Sequence, residues 1–181
     1  MSTPHHPGPW STRPGDARPP KKISDSLYVL GGVALVVLIL GVHDRMARSH
    51  PSLSRISAAT GLIWAGHLLA SGMIALIGQR AVAQLAEDHR ERAETIWISV
   101  SVIQDALGGG IELVGATWLL LVSFAAFRAR MFSRGLAALG LLIGVAGVLT
   151  LVPAVAETAA VVFGLGLIVW FVQAGLELRR S

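Results

Sequence analysis

Residues 136–152, LAALGLLIGVAGVLTLV, carry no charge, and residues 157–176, ETAAVVFGLGLIVWFVQAGL, carry only Glu157. Four residues, Pro153 to Ala156, separate the two runs. A helix needs roughly 20 apolar residues to cross a hydrocarbon core of about 30 Å. The pair therefore reads as a tight antiparallel hairpin of membrane spans, the first stopped by Pro153, which has no N–H to continue a helix. Upstream, residues 57–78 hold His67 as their one ionisable group, and Leu27 to Val42 holds none. With Ile23 to Ser26 added, the latter becomes a span over 23–42. Basic residues precede it as in a signal peptide, but no small-x-small cleavage site follows Val42, so an uncleaved span is expected.

Composition agrees with this pattern. Of 181 residues, 53% are hydrophobic and 14% charged, where soluble domains run near about 25% charged. The formal charge of +4 does not point to nucleic acid, because the basic residues flank the apolar runs, where topology rules already place them. The absence of cysteine removes disulfides, thiolate nucleophiles and Cys-ligated metal centres. Lys21 and Lys22 are the two lysines among 15 basic residues; this arginine bias, with abundant Ala and Gly, points to a GC-rich bacterial genome. Residues 1–22 contain six of the eight prolines and the His5-His6 pair but no apolar run. Such a stretch buries too little surface to offset its ordering entropy, so a disordered tail is expected.

The segment from Thr95 to Phe127 is too long for one upright span and is interrupted by Gln104, Asp105, Gly108-Gly109-Gly110 and Glu112. Arg128, Arg130 and Arg134 mark where it leaves the membrane. Counting back from Phe127 gives a span over 108–127, preceded by an interfacial helix over 95–107 with the glycines as the break. A long tilted helix is the competing reading. The charged stretch 79–95, with pairs such as Asp88–Arg92 at i, i+4, suggests a short solvated helix. The fold class is thus an all-α integral membrane bundle with about five spans: 23–42, 57–78, 108–127, 136–152 and 157–176.

Within the fourth span, Ala137, Gly140, Gly144 and Gly147 fall on one helical face, and Gly140/Gly144 form a GxxxG element that lets a neighbouring helix approach closely. Packing inside the chain is favoured over dimerisation. Three ionisable groups at or near membrane depth are candidates for chemistry: His67, Asp105 and Glu112. Asp105 and Glu112 are seven residues apart, on one helical face about 10 Å apart along the axis. A third span starting near Thr95 would bring both towards the depth of His67 as a proton or cation relay. The deeper register puts Asp105 outside the hydrocarbon, leaves Glu112 about one turn inside it, and makes His67 a residue that hydrogen-bonds to a neighbouring helix.

No HExxH spacing supports a metal site, no Lys-Ser/Thr follows the glycines to make a phosphate loop, and Ser and His stand in no hydrolase motif such as GxSxG. Trp64, Trp97, Trp118, Trp170 and Tyr28 read as packing and interfacial anchors. No cofactor is expected. The expected partners are the lipid bilayer and either a second copy or another membrane protein.

Three stretches carry a family resemblance: residues 115–124 (GATWLLLVSF), 131–147 (MFSRGLAALGLLIGVAG) and 163–180 (FGLGLIVWFVQAGLELRR). They resemble a bacterial family of multi-spanning membrane proteins known as domain of unknown function 4386, loosely from residue 56 and more closely over 115–180. Met131-Phe132 stands where that family typically has Leu-Pro, and its members usually show six spans. The resemblance implies a membrane bundle with no assigned activity; a missing first span would leave the N-terminus outside. A raw count of eight basic residues against seven does not set the orientation. The larger set occurs in every short segment on its side, and the loop between spans four and five has no Lys or Arg, which favours the same orientation, while the tail lysines argue against it. Arg45, Arg48, Arg55, Arg128, Arg130, Arg134, Arg179 and Arg180 fall on one side of a five-span chain, which is then cytoplasmic, with the C-terminus, in the bacterial inner (plasma) membrane. Arg13, Arg18, Lys21, Lys22, Arg80, Arg90 and Arg92 fall on the other.

Overall fold

The computed structural model describes residues 22–109 and 111–179. Within them the chain is all-helical: α1 (Lys22–Ala47), α2 (Pro51–Asp88), α3 (Arg90–Gly109), α4 (Ile111–Ala129), α5 (Arg134–Leu149) and α6 (Ala156–Arg179). Four of these, α1, α2, α4 and α6, are long and apolar enough to cross a membrane; α5 is apolar but has 16 residues. Large apolar side chains stand exposed on the outer faces, among them Val37, Leu142, Leu165 and Ile168. A water-soluble protein does not leave so continuous an apolar surface bare, whereas lipid tails cover it without cost. The expected disordered tail, residues 1–22, lies outside the described residues except for Lys22, which opens α1.

Contacts between neighbours run antiparallel. Along α2 and α4, Trp64 lies on Gly115 and Trp118 on Gly61; further out, Gly78 of α2 meets Val100 of α3. The 38 residues of α2 make a rod about 57 Å long, which α4 covers over its first half and α3 over its second. On the other side, α5 lies between α4 and α6, with Gly140 facing Ser123 and Trp170, and Gly166 facing Ile143. The largest buried side chains, Trp118 and Trp170, sit in the middle of this bundle.

Several boundaries differ from the sequence expectation, each for a local reason. The second span, expected over 57–78, belongs to a helix that runs on to Asp88. Residues 79–88 contain no Gly or Pro and are rich in Ala, Gln and Leu, which are good helix formers, so nothing ends the helix at the membrane edge. No separate short helix forms over 79–95. Instead the chain breaks at His89, between Asp88 and Arg92. An exposed i, i+4 pair is worth about 0.3–0.5 kcal/mol, less than the gain from laying Ala93 and Val100 against α2. The expected interfacial helix over 95–107 is part of α3, which begins at Arg90, and the described chain resumes as α4 after Gly110.

Helix α5 stops at Leu149, before the expected end at Val152. The bonds Leu151 N–H to Val148 C=O (3.2 Å) and Val152 N–H to Leu149 C=O (2.9 Å) tighten the chain to an i→i−3 pattern. Pro153 favours this, since it disfavours helical backbone in the residue before it. At the other end of the hairpin, Arg130 holds a left-handed φ of 52°. Its successor Met131 donates to Ala126 C=O at 3.2 Å, which closes α4 with a Schellman-type cap carrying Arg where Gly is usual.

Candidate functional site

The centre of the molecule is built from a reciprocal exchange. A Cβ on Gly115 of α4 would come within 2.6 Å of the Trp64 ring, and one on Gly61 of α2 within 2.7 Å of the Trp118 ring. Each helix thus presents Gly-x-x-Trp, at 61–64 and 115–118, and each glycine receives the other helix's indole. The antiparallel arrangement makes the two halves of the contact equivalent. Trp64 and Trp118 lie 5.7 Å apart, and Trp170 of α6 meets Trp118 edge-on at the same distance. Phe171 touches all three rings, and Phe132 from the α4–α5 loop meets Trp170 edge-on at 6.0 Å. Such pairs are worth about 0.5–1.5 kcal/mol each beyond area burial. The repeated spacing was present in the sequence, but without knowing that the two helices touch it reads as two unrelated tryptophans.

The small-residue face of α5 completes this core. Ala137 is buried, and Cβ atoms added at the glycines would strike α4 and α6: Gly140 meets Ser123 Oγ and Trp170, Gly144 meets Leu120 at 2.6 Å, and Gly147 meets Ala116 at 2.6 Å and Phe163 at 2.7 Å. The stripe is filled from within the chain. Trp170 Nε1 crosses over Gly140 and donates to the Leu136 carbonyl at 3.2 Å. The Nε1 groups of Trp64 and Trp118, and Ser123 Oγ, have no hydrogen-bond partner.

The three ionisable candidates lie outside this core. His67 is three residues past Trp64 and Glu112 three residues before Gly115, so on antiparallel helices the two share one level. Three helical steps also turn each side chain about 60° off the seam, and on antiparallel helices this carries them to opposite flanks. No hydrogen bond or ion pair joins them; the His67 ring bonds within its own helix to Ile63 C=O at 2.8 Å, one turn back, rather than to the neighbouring helix the sequence suggested, and both residues are half-buried. Asp105 lies on α3, seven residues before Glu112; its side chain is outside the described part. The structure therefore places His67 and Glu112 at one depth without bringing them together. Among the described residues no three His, Asp or Glu gather as a metal-holding group, and the buried polar side chains are four serines, Ser54, Ser57, Ser71 and Ser123.

One end of the bundle collects the basic residues. The C-termini of α1, α4 and α6 and the N-termini of α2 and α5 bring Arg45, Arg48, Arg55, Arg128, Arg130, Arg134 and Arg179 to the same end. Two clamps tie it together. Ser54 Oγ lies 2.7 Å from His43 Nδ1 and 2.9 Å from His43 C=O, closing the α1–α2 hairpin. Ser133, which caps α5 by accepting from Leu136 N–H, donates its own N–H to Glu177 Oε2 at 2.9 Å and its hydroxyl to Oε1 at 2.6 Å. The Ser54–His43 pair is not a nucleophile and its base, because Ser54 is 0% exposed and no substrate carbonyl can reach its oxygen. Arg45 stacks over Phe132 at 5.9 Å, and Arg128 over Phe124 at 5.5 Å.

The chain matches no protein-family model, no curated protein and no solved structure with which it was compared.

Proposed function

We propose that this protein is a non-enzymatic accessory protein of a bacterial inner (plasma) membrane. In this reading it grips another membrane protein, or a second copy of itself, and presents its arginine-rich end and C-terminus to the cytoplasm. The observation that carries this is the packed centre: tryptophan rings seated on glycines fill it, and among the described residues the buried polar ones, apart from the indole N–H groups, are serines. A machine for moving ions or for chemistry needs a polar cavity. What the bundle offers instead is surface, including the α2–α3 extension, where Ile77, Ile98, Val102 and Ile103 are exposed. The resemblance of residues 115–180 to domain of unknown function 4386 belongs to this proposal and adds no activity to it.

The natural lack of cysteine gives a direct test. Ile98→Cys and Val102→Cys, joined to a photo-crosslinker in intact cells, are expected to give one discrete adduct, at twice the chain mass for a second copy. Smears or free chain alone would remove the accessory reading. Orientation is checked separately: a C-terminal reporter that works only outside the cytoplasm would reverse it.

A second reading is a small oligomeric transporter or channel subunit. It draws on the common level of His67 and Glu112, whose opposite flanks would let His67 of one chain meet Glu112 of the next in an assembly of several chains. It expects a pH-dependent flux in proteoliposomes that Glu112→Gln and His67→Ala abolish. Flux unchanged in the variants, or none in the wild type, ends it.

A further inference from the structure

At the arginine-rich end an open cleft of about 370 Å³ is lined by Gly41, Asp44, Arg45, Arg48 and Leu178. Its walls are the last turns of α1 and α6, the first and last helices of the bundle, whose main packing is against α2 and α5 respectively. The cleft is a gap between helices rather than a flaw in the core. Gly41 leaves it open, since a Cβ built there would meet nothing within 4 Å. Arg45 is positioned at the wall by the Phe132 ring. Arg48 is exposed on the same face one turn later, and no hydrogen bond or ion pair engages its guanidinium or the Asp44 carboxylate among the described residues.

We propose that this cleft binds the headgroup of an anionic phospholipid from the surrounding leaflet. Three properties select that ligand. A guanidinium presents five N–H donors in a planar fork matched to phosphate oxygens; the exposed Arg48 can turn that fork to a phosphodiester, and Arg45 adds a second positive charge to the wall. The Asp44 carboxylate beside them accepts hydrogen bonds from headgroup hydroxyls, so a glycerol headgroup fits and a trimethylammonium one has no proton to offer. The position closes the case. Basic pockets between membrane helices at the water boundary suit lipid headgroups, and here Leu178 and the exposed apolar flank of α1 (Val33, Val37 and Leu40) lead from the cleft into the hydrocarbon, where the acyl chains lie.

The experiment is native mass spectrometry of the full chain released from mild detergent, with phosphatidylglycerol, phosphatidylcholine or inorganic phosphate added in turn. One phosphatidylglycerol is expected to survive on the protein under conditions that strip phosphatidylcholine, and millimolar inorganic phosphate is not expected to displace it. Arg48→Gln removes a charge-assisted contact and should weaken retention about tenfold. Gly41→Leu puts a branched side chain into the cleft from a position whose Cβ meets nothing within 4 Å, and should abolish retention with the helical circular-dichroism signal unchanged. Equal retention of the two lipids by the wild type overturns the proposal, with no need for either variant to fold. So does displacement by inorganic phosphate, or retention that neither substitution alters. The proposal needs the chain to sit in a bilayer but not the accessory role, so lipid selectivity and cross-linking at α3 fail independently.

Discussion

The α4–α5–α6 half of the molecule and the α2–α3 extension are both helical and both close on glycines, yet they use them differently. In the first, Gly140, Gly144, Gly147 and Gly166 sit under side chains from neighbouring helices, and Trp170 reaches across Gly140 to a backbone carbonyl. In the second, Gly78 receives Val100, and α3 leaves Ile98 and Val102 bare on its outer side. Lipid supplies no hydrophobic force between helices, so spans associate through close packing and hydrogen bonds. The first half meets that demand between its own helices and leaves Leu142, Leu165 and Ile168 on its outer faces. The extension has one packed face and one unmatched face.

The comparison can be broken most forcefully at Trp118. Truncation to Ala empties the site where three aromatic rings and Gly61 converge and should cost about 3–5 kcal/mol; a detergent melt that moves by only a degree or two would mean the core is not what joins α2 to α6. Next comes Gly140→Leu, which drives a branched side chain into Ser123 and Trp170 and should cost about 1–3 kcal/mol. Its counterpart Gly164→Ala, in open space on α6, should leave the melting temperature unchanged or raise it. Equal losses at the two glycines would contradict the difference between packed and open faces. Arg130→Gly relieves a left-handed backbone that costs a non-glycine residue roughly 1 kcal/mol and should stabilise by up to that amount in a denaturant titration. The smallest effect is expected at α3: Val102→Ser should change unfolding by less than about 0.5 kcal/mol, while altering any cross-linking through that face. A large loss of stability there would mean the outer face of α3 is already covered within the chain.

Much of this was legible in the sequence. Long apolar runs such as 157–176 dictate a helix fit to cross a membrane, because an unpaired backbone group in hydrocarbon costs several kcal/mol and only a helix or a closed barrel avoids it. Pro153 marked the hairpin turn, and the arginines after Phe127 marked the end of α4. The extension of α2 to Asp88 was less visible, because a polar composition is compatible with both linker and helix and only the packing partner, α3, chooses between them. The reading of His67 and Glu112 suffered from the same limit. Spacing along one helix says nothing about the rotation of the next, so their shared level and opposite flanks appear only when the Trp64–Gly115 contact sets the register.

By itself, then, the sequence determined that this chain is an all-α bundle with apolar helices fit for a bilayer and its arginines at their ends, since hydropathy and helix geometry act locally. The tertiary structure decided which surfaces those helices spend on one another. Gly-x-x-Trp in α2 and Gly-x-x-Trp in α4 lie far apart in the chain, and their exchange depends on the crossing of two helices. The stripe of Ala137, Gly140, Gly144 and Gly147 permits close approach but does not name the partner; the fit of Ser123, Leu120, Ala116 and Trp170 into it does. The gap left open above Gly41 is of the same kind, a property of how α1 and α6 meet rather than of either helix alone.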